Sequence, residues 1–358
     1  LHNRKHSFPT RRSSDLLHGL HLKQYRHATY APEPYYEEAL RRDPGDARCN
    51  NALGLLLLRR GKPAEAEPYF RKAIERLTMR NPNPYDGEAY YNLGLALRMQ
   101  ERYDEAYDAF WKATWNHAWQ AASYFELARI ACRRHNYEEA LELADAAIAR
   151  NAYHHQARHL RIACLCELHQ YSEVTADIEQ ALAVDPYNLA VLCEWWLLEG
   201  DETPLEQRMR EWVHNYLELA LDFANAGLLA DAQSILLDSL QEAPMVFYYR
   251  AWLYAQQGNH DFAQDLLKQA AEQAPDYGFP NRVECVPVLQ WAIAQNPQDA
   301  NAPYMLGNFW YAQRQYDDAI QCWQLATQRD PNFATPFRNL GLAYMNKLND
   351  PERARQAY

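Results

Sequence analysis

His155 and His159 stand four residues apart, a spacing that puts two imidazoles on one face of a helix, where they could hold a metal ion. His135, His154 and His169 lie nearby, yet there is no HExxH pattern and no carboxylate placed to complete a ligand set. Exposed helical histidines without a metal are therefore expected. Cys164 and Cys166 form C-x-C within a predicted helix, where their side chains diverge by about 200°, so buried apolar thiols are expected rather than a ligand pair. The neighbouring carboxylates Glu138-Glu139 and Asp317-Asp318 point about 100° apart on a helix. Acid–base catalysis needs two carboxyls converging on a cleft. With no glycine-rich phosphate loop and no G-x-S-x-G, the chain reads as non-enzymatic, with no cofactor. Trp111, Trp115 and Trp119 recur every four residues and make one aromatic stripe. Such a stripe is expected to be core, covered by the nearby "NPNPYDG"; its functional alternative is a docking face.

The elements that carry these residues are expected to be helices. Only 12 Gly occur in 358 residues, Ala, Leu, Glu and Gln are abundant, and no useful run alternates as a strand would. The net charge of −11 argues against nucleic acid and anionic membrane surfaces as partners. Apolar runs such as "LGLLLL" from Leu53 to Leu58 are too short to span a bilayer. Seven Cys in no spaced framework fit reduced thiols and a cytoplasmic setting. The opening stretch "HSFPTRRSSDL", His6 to Leu16, has no hydrophobic period, and its possible codons match an adapter used for short-read sequencing. Residues 1–16 are accordingly expected to be a cloning or assembly scar without order. They carry four basic residues against one acidic, so without them the net charge moves from −11 to −14.

Four stretches share one pattern: "NALGLLLLRRGKPAEAEPYFRKA" from Asn51, "YNLGLALRMQERYDEAYDAFWKA" from Tyr91, "MLGNFWYAQRQYDDAIQCWQLATQRDP" from Met305 and "NLGLAYMNKLNDPERARQAY" from Asn339. Each has Leu-Gly, a large apolar residue three further on and, across a polar turn, an Ala. In the first three an aromatic follows four residues after that Ala, and another Ala three later. This resembles the tetratricopeptide repeat, a helix-turn-helix unit of about 34 residues. The resemblance implies an all-α, right-handed α-solenoid. Small residues would mark the close approach of the two helices of a unit: Gly54, Gly94, Ala128, Ala220, Ala251, Gly307 and Gly341 on helix A, and Ala66, Ala106, Ala140, Ala232, Ala263 and Ala319 on helix B. Phe70, Phe110, Leu236, Leu267 and Trp323 would fill the space between. Pro44, Pro186, Pro244, Pro275 and Pro331 are read as unit ends.

Units are expected to begin near Ala47, Gly87, Ala121, His155, Leu189, Val213, Pro244, Ala300 and Ala334. The chain then divides into a linker with a partial repeat helix (17–46), regular units (47–188), irregular units with a degenerate member and an insertion (189–299), and C-terminal units (300–358), the last of them truncated. "YYEEALRRDP" reads as a second helix whose first helix is absent or altered. The insertion before Ala300 is expected to hold an extra helix or half unit. "EGDETP", flanked by Trp195, Trp196 and Trp212, is expected to kink the array.

In this family the concave face is the usual peptide site, and positions 2, 5, 9, 12 and 13 of helix A face it. The resemblance assigns Glu88, Tyr91, Leu95, Arg98 and Met99, then Ala122, Phe125, Arg129, Cys132 and Arg133, then Gln156, His159, Ala163, Cys166 and Glu167 to that groove. Tyr91 and Phe125 would offer flat apolar contact, and Arg98, Arg129 and Arg133 bidentate contact to carboxylates. Asn308 and Asn339 match two positions of the clamp with which some members hold a terminal carboxylate. Tyr304 stands where that clamp has Lys, so the clamp is not expected, but Tyr304, Asn308 and Asn339 are expected among the groove residues. The implied partner is a protein or peptide. A narrower resemblance, carried by "HLKQYRHATYAPEPYYEEALRRDPGDARCNNALGLLLLRRG", "NPNPYDGEAYYNLGLALR", "DYGFPNRVECVPVL" and "YMNKLNDPERARQAY", is to the C-terminal repeat half of large bacterial proteins. Their N-terminal domain, of unknown function, is linked to carbohydrate use. It implies an alternative role as docking arm for an N-terminal domain of the same parent chain.

Overall fold

A computed structural model describes residues 8–25, 30–200, 203–210, 212–237, 243–276 and 279–358. Among them all regular structure is helical, with 21 α-helices and no strand. The chain forms two compact units: one of residues up to Ala131 with Asn136–Cys164, the other of Cys132–His135 with Leu165–Tyr358.

In the first unit the helices run as successive antiparallel pairs: α1 (Phe8–Gln24) with α2 (Glu33–Arg42), α3 (Ala47–Arg59) with α4 (Pro63–Thr78), and α5 (Glu88–Arg98) with α6 (Tyr103–Ala113). Next come α7 (Gln120–Arg133), α8 (Tyr137–Arg150) and α9 (His155–Glu167), the last turns of α7 and α9 counting with the second unit. The pairs close because helix A presents a hydrogen where helix B presents a ring. A Cβ on Gly94 would lie 2.6 Å from a Phe110 ring carbon, a distance no real Cβ tolerates. Ala66, Phe70, Ala106 and Phe110 have no exposed surface. No pair could bury its apolar stripe alone; stacking neighbours does it.

The turn between helices A and B also repeats. Glu101, His135 and His169, spaced 34 apart, each take φ near +60°. Gly61 does the same at 75° in the preceding repeat. This left-handed residue lets the next amide fold back: Arg102 donates its N–H to the Leu97 carbonyl at 3.0 Å, closing the helix end. His is among the residues tolerated in that conformation, which explains His135 and His169 without any ligand.

The second unit contains α10 (Tyr171–Val184), α11 (Leu189–Glu199), the seven-residue α12 (Thr203–Met209), α13 (Val213–Ala226), α14 (Leu229–Leu237), α15 (Pro244–Gln256), α16 (His260–Glu272), the extra α17 (Cys285–Gln295), α18 (Asn301–Ala312), α19 (Tyr316–Arg329), α20 (Ala334–Asn346) and α21 (Pro351–Ala357). The short α12 is the degenerate partner of α11. Gly307 repeats the Gly94 device: its Cβ would lie 2.5 Å from the Trp323 ring.

Two expectations change. Residues Phe8 to Leu16 belong to α1 instead of lacking regular structure; His6 and Ser7 lie outside the described residues. The helix extends because Leu16 and Leu20 pack with Tyr36, and a Cβ on Gly19 would collide with the Tyr36 ring. The first helix expected to be absent or altered before "YYEEALRRDP" is therefore α1. Pro244 opens α15 at its first turn, where the missing N–H costs nothing, and does not end a unit.

Candidate functional site

Position 5 of three successive helices A places Tyr91 on α5, Phe125 on α7 and His159 on α9, all within the first unit. Tyr91 is half-buried, and Phe125 and His159 are buried. Tyr91 stacks on Trp119 with centroids 4.9 Å apart, and Phe125 meets the His154 ring at 4.7 Å. Leu95 is half-buried one turn beyond Tyr91. Phe125 and His159 are covered, and the half-buried Tyr91 and Leu95 keep partial exposure.

The basic strip expected at Arg98 and Arg129 is already engaged. Glu126, 5% exposed, takes Arg98 Nε on one carboxylate oxygen at 3.1 Å and Arg129 Nη1 on the other at 3.1 Å. The Arg129 guanidinium also lies 5.3 Å from the centre of the Phe125 ring. A carboxylate shared by two guanidiniums keeps buried charge compensated. Glu126 stands at position 6 and so escaped a reading confined to groove-facing positions; Glu three residues before Arg129 was the available signal. Burial and the Glu126 charge both drive the Tyr91 hydroxyl pKa well above its ordinary value.

Arg133 leaves this row. In the second unit its Nη1 donates to the Ala224 carbonyl at 3.2 Å, near the C-terminal end of α13, where the helix dipole attracts a cation. The histidine expectation also changes: His155 is exposed, but His159 is only 4% exposed. His154 caps α9, its Nδ1 accepting the Ala157 N–H at 3.3 Å, and burial lowers its pKa. Among the described residues no group of three or more His, Cys, Asp and Glu could hold a metal ion.

Cys164 is buried, and burial pushes the half-buried Cys166 thiol up to about 12. The tryptophan stripe is not core: Trp115 is 62% exposed and Trp111 38%. Lys112 Nζ covers the Trp115 ring at 4.2 Å, and Trp111 meets Tyr124 edge-on at 6.0 Å. "NPNPYDG" reaches the turn after α6 instead, where Asn116 donates to the Tyr85 carbonyl.

In the second unit Tyr304 is buried against Phe333 at 4.8 Å. Asn308 Oδ1 accepts from Trp323 Nε1 at 3.2 Å and from Asn339 Nδ2 at 3.3 Å. Asn51 and Asn92 pair in the same manner in the first unit, at 2.9 Å. These amides tie one helix A to the next. Among the described residues no helix is long and apolar enough to cross a membrane.

Family profiles described as tetratricopeptide repeat match residues 47–114 and 245–277, and one described as TPR repeat matches 307–347. Among solved structures, the MamA protein is 19% identical, with 50% of this chain and 94% of that chain covered and a TM-score of 0.43. A tetratricopeptide repeat protein from Parabacteroides merdae ATCC 43184 is 18% identical over 86% of this chain and 98% of its own, with a TM-score of 0.35. A thermophilic TPR protein from Thermus thermophilus is 20% identical over 58% of this chain and 98% of its own, with a TM-score of 0.31. The profile matches show tetratricopeptide repeats over residues 47–114, 245–277 and 307–347, where the glycine-to-ring contacts at Gly54, Gly94 and Gly307 also lie.

Proposed function

We propose that this chain is a non-enzymatic interaction scaffold whose helix A faces hold an extended peptide or a partner domain. The observation that supports this reading is in the first unit: Tyr91 and Leu95 on α5 and Phe125 on α7 are held in place by packing, with Arg98 and Arg129 both paired to Glu126 beside them. A row held by packing and buried ion pairs is a preorganised template, and preorganisation lowers the entropic cost of binding. Nothing in the row converges as a nucleophile, base or acid would. Peptides selected from a random library against the chain test the reading. Leu95→Glu should weaken the selected peptides at least tenfold, whereas Glu142→Lys on helix B should leave them unchanged. Equal binding by both variants would reject the groove.

A second reading draws on the exposure of Trp115 and Trp111: a docking arm for an N-terminal domain of the same parent chain, which the narrower resemblance links to carbohydrate use. Trp is among the residues enriched at the anchors of interfaces. In a parent chain carrying such a domain, Trp115→Ala should speed proteolytic separation of the two parts. Unchanged proteolysis would leave the groove reading alone.

A further inference from the structure

In the second unit a non-helical segment, Phe279 to Glu284, leads into α17 and meets α13 on the way. Arg282 Nη1 pairs with the Glu218 carboxylate, and Arg282 Nη2 lies 3.9 Å from an Asp222 oxygen, one turn farther along α13. Asn225 Nδ2 donates to Glu284 Oε1 at 3.5 Å, and Glu284 accepts from Arg282 Nε and Nη2, each at 3.3 Å. Pro280, two residues before the arginine, is buried. Glu218, Asp222 and Asn225 stand at i, i+4 and i+7 and so share one face of α13. The segment lies on that face as a bound peptide would.

Glu218 holds position 6 of its helix A, the position of Glu126 in the first unit, and Asn225 holds the groove-facing position 13. The two glutamates differ in what they take. Glu126, 5% exposed, pairs with arginines of helices A. Glu218 takes an arginine from the insertion, and its side chain keeps 41% exposure, with Asp222 at 29%. Burial of Arg282 works against its charge, but Glu284 and Glu218 outweigh it and raise its pKa. Ion pairs this exposed add little to stability. Their effect is on selection: two carboxylates one turn apart suit a planar guanidinium with several donors better than a single ammonium.

We propose that residues Phe279 to Val283 form an intrachain strap over a binding site for a peptide carrying Pro-x-Arg, and that a partner arginine displaces Arg282 from Glu218 and Asp222. The strap itself shows which group this face takes. The inference rests on the scaffold reading and names the ligand chemistry of one helix A face in the second unit. The probe is a dye-labelled Phe-Pro-Asn-Arg-Val amide, the strap's own sequence, titrated into the whole chain and followed by fluorescence anisotropy. Arg282→Ala should bind it at least tenfold more tightly than the wild type, because an occupied site lowers apparent affinity by the fraction that is open. Arg282→Lys, which keeps a charge on the strap, should show a smaller gain in the same direction, and circular dichroism checks the helicity of both. Adding Glu218→Gln to Arg282→Ala should remove the gain, and a probe with Lys in place of Arg should bind Arg282→Ala more weakly. Equal affinity in the wild type and both Arg282 variants, or a gain that survives Glu218→Gln, would overturn the strap. With that result, library-selected peptides that still lose binding in Leu95→Glu would keep the scaffold reading; loss of both would reject the two together.

Discussion

The repeat built from α5 and α6 and the insertion that carries α17 solve the same packing problem by different means. In the repeat the contact is apolar and steric: Gly94 lies under the Phe110 ring, and Ala106, Ala109 and Ala113 keep helix B close. The inserted α17 also buries apolar residues, Val286, Val288 and Leu289 among them, and polar contacts are added at its two ends. Asp299, 1% exposed, accepts the Tyr248 hydroxyl at 2.6 Å and the Asn301 N–H at 2.7 Å. Arg329 donates to the Asp299 carbonyl at 2.8 Å, and Asn301 Nδ2 reaches the Gln273 carbonyl at 2.8 Å. Arg282 is held by Glu218 and Glu284. A helix inserted between two repeats interrupts the small-to-large register, so buried backbone groups at its ends need explicit partners. Where the register holds, shape does the work; where it breaks, hydrogen bonds at the helix ends are added to apolar packing.

The difference can be broken from either side. Gly94→Leu forces a side chain into the Phe110 ring and should cost about 3 kcal/mol or more, read as a lower midpoint of thermal or urea unfolding. An unchanged midpoint would remove the steric account of the repeat. Asp299→Ala leaves the Tyr248 hydroxyl and the α18 N-terminal amides without their acceptor, and should cost about 2 kcal/mol. Hydrogen exchange should rise across α17 and α18 and stay unchanged in α5 and α6.

A smaller effect separates the caps from the core. Burial lowers the His154 pKa below its ordinary 6.5, so the unfolded chain takes up the proton first. The stability that depends on the neutral ring is then complete above about pH 6.5 and falls as the pH drops through the folded value. His154→Asn, which keeps a cap acceptor, should flatten that part of a stability profile between pH 7.5 and 5. The smallest effect is expected at Trp115. Its 62% exposure limits the stability loss in Trp115→Ala to about 0.5 kcal/mol; a larger loss would place that ring in the packing of the repeat.

Much of the fold was legible because the repeat multiplies a local signal. The starts read near Ala47, Leu189, Val213, Pro244 and Ala334 coincide with helix starts, and Gly87 and Ala300 are helix N-caps. The extra helix before Ala300 is α17. The candidate site was less legible. Tyr91 and Leu95 stand on α5 and Phe125 on α7, but position in a repeat says nothing of what already binds a side chain there. Arg98 and Arg129 were read as open donors, and Glu126 takes both. Arg133 was assigned to the same strip and instead meets the Ala224 carbonyl, 91 residues away in sequence. His159 was expected to be exposed and is covered.

From residues alone come the helix pairs and their close contacts, because a glycine opposite an aromatic ring, repeated at a fixed interval, has few other ways to be buried. The left-handed turns at Glu101, His135 and His169 follow the same interval. What required the tertiary structure were the partners of the charges and the exposure of Trp111 and Trp115. Those depend on distances between side chains far apart in sequence. A periodic pattern determines which face each residue turns toward, and only packing decides whether that face meets solvent or a counter-charge.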